Sequence, residues 1–309
     1  MISLDASAPR VCDAGPRQLA VAAATLVGVY LAVFGPGVLT SIRVLAGMAA
    51  PGPATAWMDR VASLEWDVFS VAVVLVVVMR WLPRRAPLVT GRMRLGRGSA
   101  ARFPVGLLGA SAAYVAVVIA STWLSDLVVS AGHLAQGGYT QLGRGGGAFA
   151  VAAAAATAAG FTEEITLVAL AAAVVEQAFA VRVRRTRWVV PATLAALVVA
   201  RWLVHLYYLW GSAFVLVWVP GAYVIYRWVG SVWPLVLGHW CYDWLALAGR
   251  AFPGLSRQFD TALRVLAAVG AVVTVVGTGR LVARRLAVAQ VKRLRRSPGA
   301  ATTSRAEEA

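Results

Sequence analysis

The chain is divided into apolar runs about as long as a lipid bilayer is thick. They lie at 19–41, 66–82, 103–129, 148–180, 188–210, 213–229, 231–248 and 263–282. A spanning helix needs about 20 such residues. Lipid offers backbone N–H and C=O groups no partner, so each span must close its hydrogen bonds internally. The pattern predicts an all-α polytopic membrane helix bundle of about eight transmembrane helices. Composition agrees: 60% of the 309 residues are apolar and 14% charged, whereas a soluble domain is about 25% charged.

The net charge of +16 sits between the apolar runs, in RWLPRRAPLVTGRMRLGRGSAAR (80–102), RVRRTR (182–187) and ARRLAVAQVKRLRR (283–296). Basic segments alternate with a weakly charged Pro/Gly-rich connector (42–65), a Gly-rich one (130–147) and a mixed one (249–262). With both termini in the cytoplasm, every strongly basic segment falls inside, as the positive-inside rule requires. The basic charge therefore implies contact with the anionic face of a lipid bilayer and no nucleic-acid partner. A multi-pass cell-membrane protein, of a bacterial plasma membrane, is expected. The two cysteines, Cys12 and Cys241, form no CxxC or disulfide framework. The organisation reads as a polar tail (1–18), N-terminal spans (19–147), a polar-bearing group of spans (148–248), a last span (249–285) and a basic, then disordered, tail (286–309).

Few ionisable residues fall within the spans. They are Glu163, Glu164 and Glu176 in the fourth, Arg201 and His205 in the fifth, and His239 and Asp243 in the seventh. Charge at such depth is costly and marks a functional site or a buried pair. Arg201 and His205 are four apart and share a helical face, as do His239 and Asp243. Asp243 is placed to accept a hydrogen bond from one imidazole nitrogen and so orient the ring. Glu163 and Glu164 diverge by about 100° on an ideal helix, so only one should face a given partner squarely. Glu176, just before RVRRTR, reads as a surface ion-pair residue. Trp240 and Trp244 are candidate pocket-lining residues. Counting rises from an outer turn near residue 212 puts His205 and His239 level and Glu163 about 10 Å deeper.

A carboxylate and two imidazoles in a water-accessible cavity suit hydrolysis. The carboxylate can act as general base toward water and the imidazoles can stabilise an oxyanion. Equally, Glu163, His205 and His239 could hold Zn²⁺ with one position left for water. Neither HExxH nor the GxSxG elbow of serine hydrolases is present.

The order of these elements, Glu163-Glu164-Ile165-Thr166-Leu167-Val168, then a helix bearing His205, then SVWPLVLGHWCYD with His239 and Asp243, resembles the CPBP intramembrane proteases. These include the CAAX prenyl endopeptidases and bacteriocin-processing or immunity proteins. The likeness covers roughly residues 155–248. Two positions depart from it: Val168 stands where the EExxxR motif has arginine, and Arg201 where FxxxH has an aromatic residue. The resemblance implies an eight-helix membrane fold and an endopeptidase acting on a membrane-associated peptide or protein. Glu163 falls on the water-activating position, His205 and His239 on the motif histidines, and Asp243 on the last motif position. Glu164 belongs to the same site and Arg201 supports it, supplying the missing positive charge. A catalytically silent relative, acting as a membrane scaffold or immunity protein, is the alternative.

Overall fold

A computed structural model describes residues 15–47, 57–93, 95, 104–133, 145–182 and 188–296. Every regular element among them is a helix, as apolar segments without external hydrogen-bond partners require. Helix α1 is Pro16–Leu45. Helix α2 (Trp57–Val73) runs through a π-helical stretch, Val74–Trp81, into the short α3 (Leu82–Arg85) and α4 (Pro87–Thr90). Helix α5 is Pro104–Gly132. Helix α6 (Gly146–Glu163) passes through a second π-helical stretch, Glu164–Leu170, into α7 (Ala171–Arg182). Then come α8 (Val189–His205), α9 (Val215–Val229), α10 (Trp233–Ala251) and α11 (Ser256–Arg296). Residues 94 and 96–102 of the 83–102 connector, 134–144 of the Gly-rich one, 183–187 of the RVRRTR segment, and 1–14 and 297–309 of the tails lie outside the described residues.

Among the described residues, six stretches are long and apolar enough to cross a membrane: Pro16–Leu45, Leu64–Arg85, Gly106–Gly132, Gly146–Phe179, Trp210–Val229 and Pro253–Val276. The chain is a multi-pass membrane protein. The other two expected spans also fold as helices, with less apolar length. Helix α8 has 17 residues. Its expected end at 210 is corrected to His205, because the chain leaves the α-helix there for two 3₁₀ turns, Leu206–Tyr208 and Trp210–Phe214. Helix α10 carries His239, Asp243 and Arg250 within its 19 residues. The last helix, expected over 263–282, runs for 41 residues and takes in the basic segment.

Helix α5 is the hub of the bundle, packed by α9, α10 and α11. Without a hydrophobic force between helices in lipid, close backbone approach does the packing, and small residues allow it. Two glycines require this explanation. A Cβ on Gly270 of α11 would collide with the Ala112 carbonyl group, and one on Gly238 of α10 would lie 2.8 Å from the Ser111 carbonyl oxygen. Both carbonyls belong to α5. Elsewhere the bundle is tied by hydrogen bonds from side chains to remote backbone. Tyr30 donates to Ala200 O at 2.8 Å, joining α1 to α8, and Trp66 donates to Val33 O at 3.2 Å, joining α2 to α1. The outward faces are apolar: Leu31, Val68, Leu108, Trp123, Leu127 and Val275 are all more than 60% exposed, the surface expected against lipid tails.

Candidate functional site

The site forms where α5, α6, α8, α9 and α10 meet. Glu163 is the last residue of α6 and Glu164 the first of the π-helical stretch. Arg201 reaches them from the last turn but one of α8. Its Nη2 donates to Glu163 Oε2 at 2.6 Å and to Glu164 Oε1 at 2.8 Å. The expectation that one carboxylate at most would face a partner is corrected. A single guanidinium nitrogen sits between the two, because a long arginine side chain approaching from another helix can bisect their 100° divergence. Arg201 and Glu164 are fully buried, while Glu163 keeps 8% of its surface.

Glu164 Oε1 is a convergence point. It accepts from Arg201, from the Tyr114 hydroxyl at 2.7 Å, and lies 2.9 Å from His239 Nδ1. The other ring nitrogen of His239, Nε2, is 3.3 Å from Asp243 Oδ2 one helical turn further on. Asp243 thus stands where the four-residue spacing put it, and Glu164 grips the opposite side of the ring. The Tyr114 hydroxyl in turn accepts from Trp218 Nε1–H at 2.7 Å. The Arg201 guanidinium carbon stacks 3.6 Å above the Trp218 ring, a desolvated cation–π contact.

His205 ends α8. Its Nδ1 lies 2.9 Å from the Arg201 carbonyl oxygen, and its ring is boxed by Tyr208, Phe214 and Trp218 at centroid distances of 6.1, 5.4 and 5.7 Å. Leu209, which closes the turn beyond it, is held at φ 54° and ψ −128°. A branched side chain there costs on the order of 1–3 kcal/mol. That strain lets the 3₁₀ turns fold Tyr208 and Phe214 back over the imidazole. The depth mismatch expected for Glu163 does not separate the groups. Helix α8 stops at His205, so Arg201 is one turn inward of the histidine and spans the remaining distance with its side chain. Arg201 donates to Glu163 at 2.6 Å while its own carbonyl oxygen lies 2.9 Å from His205 Nδ1, and Glu164, next to Glu163, lies 2.9 Å from His239 Nδ1.

Trp240 and Trp244 do not act as a free pocket wall. Their indole N–H groups donate to Thr157 O at 2.8 Å and to Ala153 O at 3.1 Å, lashing α10 to α6. Gly160 makes this possible, since a Cβ there would lie 2.7 Å from Trp240 Cδ1 and 3.2 Å from His239 Cγ. Glu176 stands apart, in an ion pair with Arg227 of α9 at 2.7 Å and accepting from Tyr223 at 2.7 Å. It is a structural brace between α7 and α9. Sequence reasoning missed Tyr114 and Trp218. The one available signal for Tyr114 is a phenol in an otherwise small-residue segment, GASAAY.

The donor set does not suit a Zn²⁺ ion held by Glu163, His205 and His239. Both nitrogens of His239 face carboxylates, and the Arg201 cation already lies on Glu163. What the arrangement does offer is two buried carboxylates with one guanidinium between them, and two further Arg201 donors, Nε and Nη1, without hydrogen-bond partners. Compared with known proteins, the chain matches no family model, no curated protein and no solved structure.

Proposed function

We propose that the chain is an intramembrane endopeptidase of the CPBP type, resident in the cell membrane, that hydrolyses a peptide bond with a water activated by Glu163 and without a metal. The observation carrying this reading is the shared guanidinium. One arginine between two glutamates neutralises one charge and leaves the equivalent of one carboxylate as a base. Of the two, Glu164 is enclosed by Tyr114, Arg201 and His239, and Glu163 keeps the residual exposure. Glu163 takes a proton from water as the water oxygen attacks the carbonyl carbon of the scissile bond. The carbonyl π electrons move to oxygen. The Arg201 cation and the imidazoles of His205 and His239 stabilise that oxyanion electrostatically in a site of low dielectric. The tetrahedral intermediate collapses, the C–N bond breaks, and Glu163 returns its proton to the leaving amine. Glu164 and Asp243 orient His239 from its two sides.

The test is comparative profiling of new peptide N-termini in membranes from cells carrying the wild type or Glu163→Gln. A membrane-associated peptide cut only by the wild type supports the enzyme. Identical profiles, with both proteins present in the membrane at equal level, support the alternative of a silent relative that binds membrane proteins as a scaffold or immunity factor.

A further inference from the structure

Away from the glutamate site, the ends of the first two spans border a half-open cavity of about 430 Å³ lined by Arg17, Gln18, Val21, Trp81, Arg84 and Arg85. Three guanidiniums around one cavity repel one another, and none forms an ion pair with a described residue. Arg84 and Arg85 close α3, where cations are favoured. Arg17 is in the first turn of α1, where the helix dipole disfavours a cation. No side chain caps that helix start. Gln18 is committed to structure, its Oε1 accepting from Leu88 N at 3.3 Å, which fixes the start of α1 against α4. The cavity is therefore a concentration of positive charge with no acidic partner among the described residues.

The walls say which anion would fill it. Guanidiniums form paired hydrogen bonds with phosphate oxygens. Trp81 is 42% exposed beside the cavity, and Trp is favoured at the headgroup level of a bilayer. Val21 extends the wall down the apolar flank of α1. The site is at the ends of two spans and continuous with their lipid-facing surface. We propose that this cavity binds the phosphodiester headgroup of an anionic membrane phospholipid, with its acyl chains running along α1 and α2. The binding is independent of the hydrolytic reading.

The purified full chain in neutral detergent is titrated with dioleoyl phosphatidylglycerol, dioleoyl phosphatidylcholine or inorganic phosphate. Bound lipid is counted by native mass spectrometry and thermal unfolding is followed in parallel. The phosphatidylglycerol should bind and raise the unfolding temperature; phosphatidylcholine and inorganic phosphate should do neither. R17Q/R84Q/R85Q should bind phosphatidylglycerol on the order of 100-fold more weakly, since each basic residue near an anionic surface contributes roughly five-fold. A charge-matched control, R250Q/R257Q/R264Q, should keep wild-type binding. Should the triple variant fail to fold, Arg85→Gln alone must still weaken binding by a few fold. Undiminished binding in the cavity variants, or equal loss in the control, overturns the site. Inorganic phosphate matching the lipid overturns its assignment to a headgroup.

Discussion

At the scale of single residues, the site is a charge ledger in a medium that tolerates little imbalance. Arg201→Ala removes the cation that Glu163 and Glu164 share, leaving Glu164 with only Tyr114 and His239. Breaking a buried pair by removing one partner costs about 3–5 kcal/mol. A matching loss of stability is expected in detergent denaturation, with partial recovery when Glu164→Gln is added, since the second change removes a charge the first stranded. No recovery would mean that the two groups are not coupled. Tyr114→Phe deletes the hydroxyl joining Glu164 to Trp218 and should cost about 1–3 kcal/mol, because both partners stay buried. For the proposed chemistry, Glu163→Gln keeps the shape and hydrogen-bonding reach of the side chain but cannot take up a proton. It should abolish cleavage with the protein still in the membrane. Asp243→Asn should be milder, because an amide oxygen can still accept from His239. Equal loss in both would give Asp243 a role beyond orienting the ring. The six ionisable residues Glu163, Glu164, Arg201, His205, His239 and Asp243 were legible in the sequence because charge is rare in apolar spans. Tyr114 and Trp218 were not, because aromatic residues are ordinary in such spans and only the packing shows which two meet the charges.

Among elements, the π-helical stretch and the tight crossings decide whether those residues meet. The stretch Glu164–Leu170 follows immediately on Glu163. A π turn widens the helix and changes the angular step between successive side chains, which helps Glu163 and Glu164 address one partner. Nothing in GFTEEITLVAL signals it. The same is true of the early end of α8, where an apolar pattern continues past His205 while the backbone does not. The two kinds of glycine crossing predict separable outcomes. Gly160→Ala pushes on the Trp240 indole and the His239 ring, so it should depress cleavage more than stability. Gly270→Ala presses on the backbone of α5 at Ala112, and a rigid carbonyl cannot turn aside as an indole can. It should therefore destabilise the bundle, by about 1–3 kcal/mol for an overpacked contact, and spare the glutamate site, which α11 does not enter. Thermal unfolding and cleavage measured on the same preparations distinguish the two.

At the scale of the whole molecule, the helical membrane class follows directly from the length of the apolar runs, while the order of packing does not. Helix α5 falls outside the 148–248 group that carries the recognisable charges, yet it is the hub those helices pack on and supplies Tyr114. Sequence spacing orders residues along a helix and says nothing of which helix is central. Orientation, by contrast, can be argued from charge and now from geometry. Arg17, at the start of the first span, shares a cavity with Arg84 and Arg85, at the end of the second. These ends therefore lie on one face, and the positive-inside rule predicts that a face with three arginines is the cytoplasmic one. On that orientation the third span carries the chain outward, and the start of α6 is expected outside. In a Cys12→Ser/Cys241→Ser background, Gly147→Cys tests that outer end: a Cβ at Gly147 would meet no atom within 4 Å, so the position tolerates the change. Pro87→Cys, at an exposed position beside the basic cavity, tests the inner end. A membrane-impermeant maleimide applied to intact cells should label Gly147→Cys and leave Pro87→Cys unlabelled until the membrane is permeabilised. The reverse pattern would place the arginine cavity outside, and labelling of both in intact cells would mean that the second and third spans do not separate these two positions across the membrane.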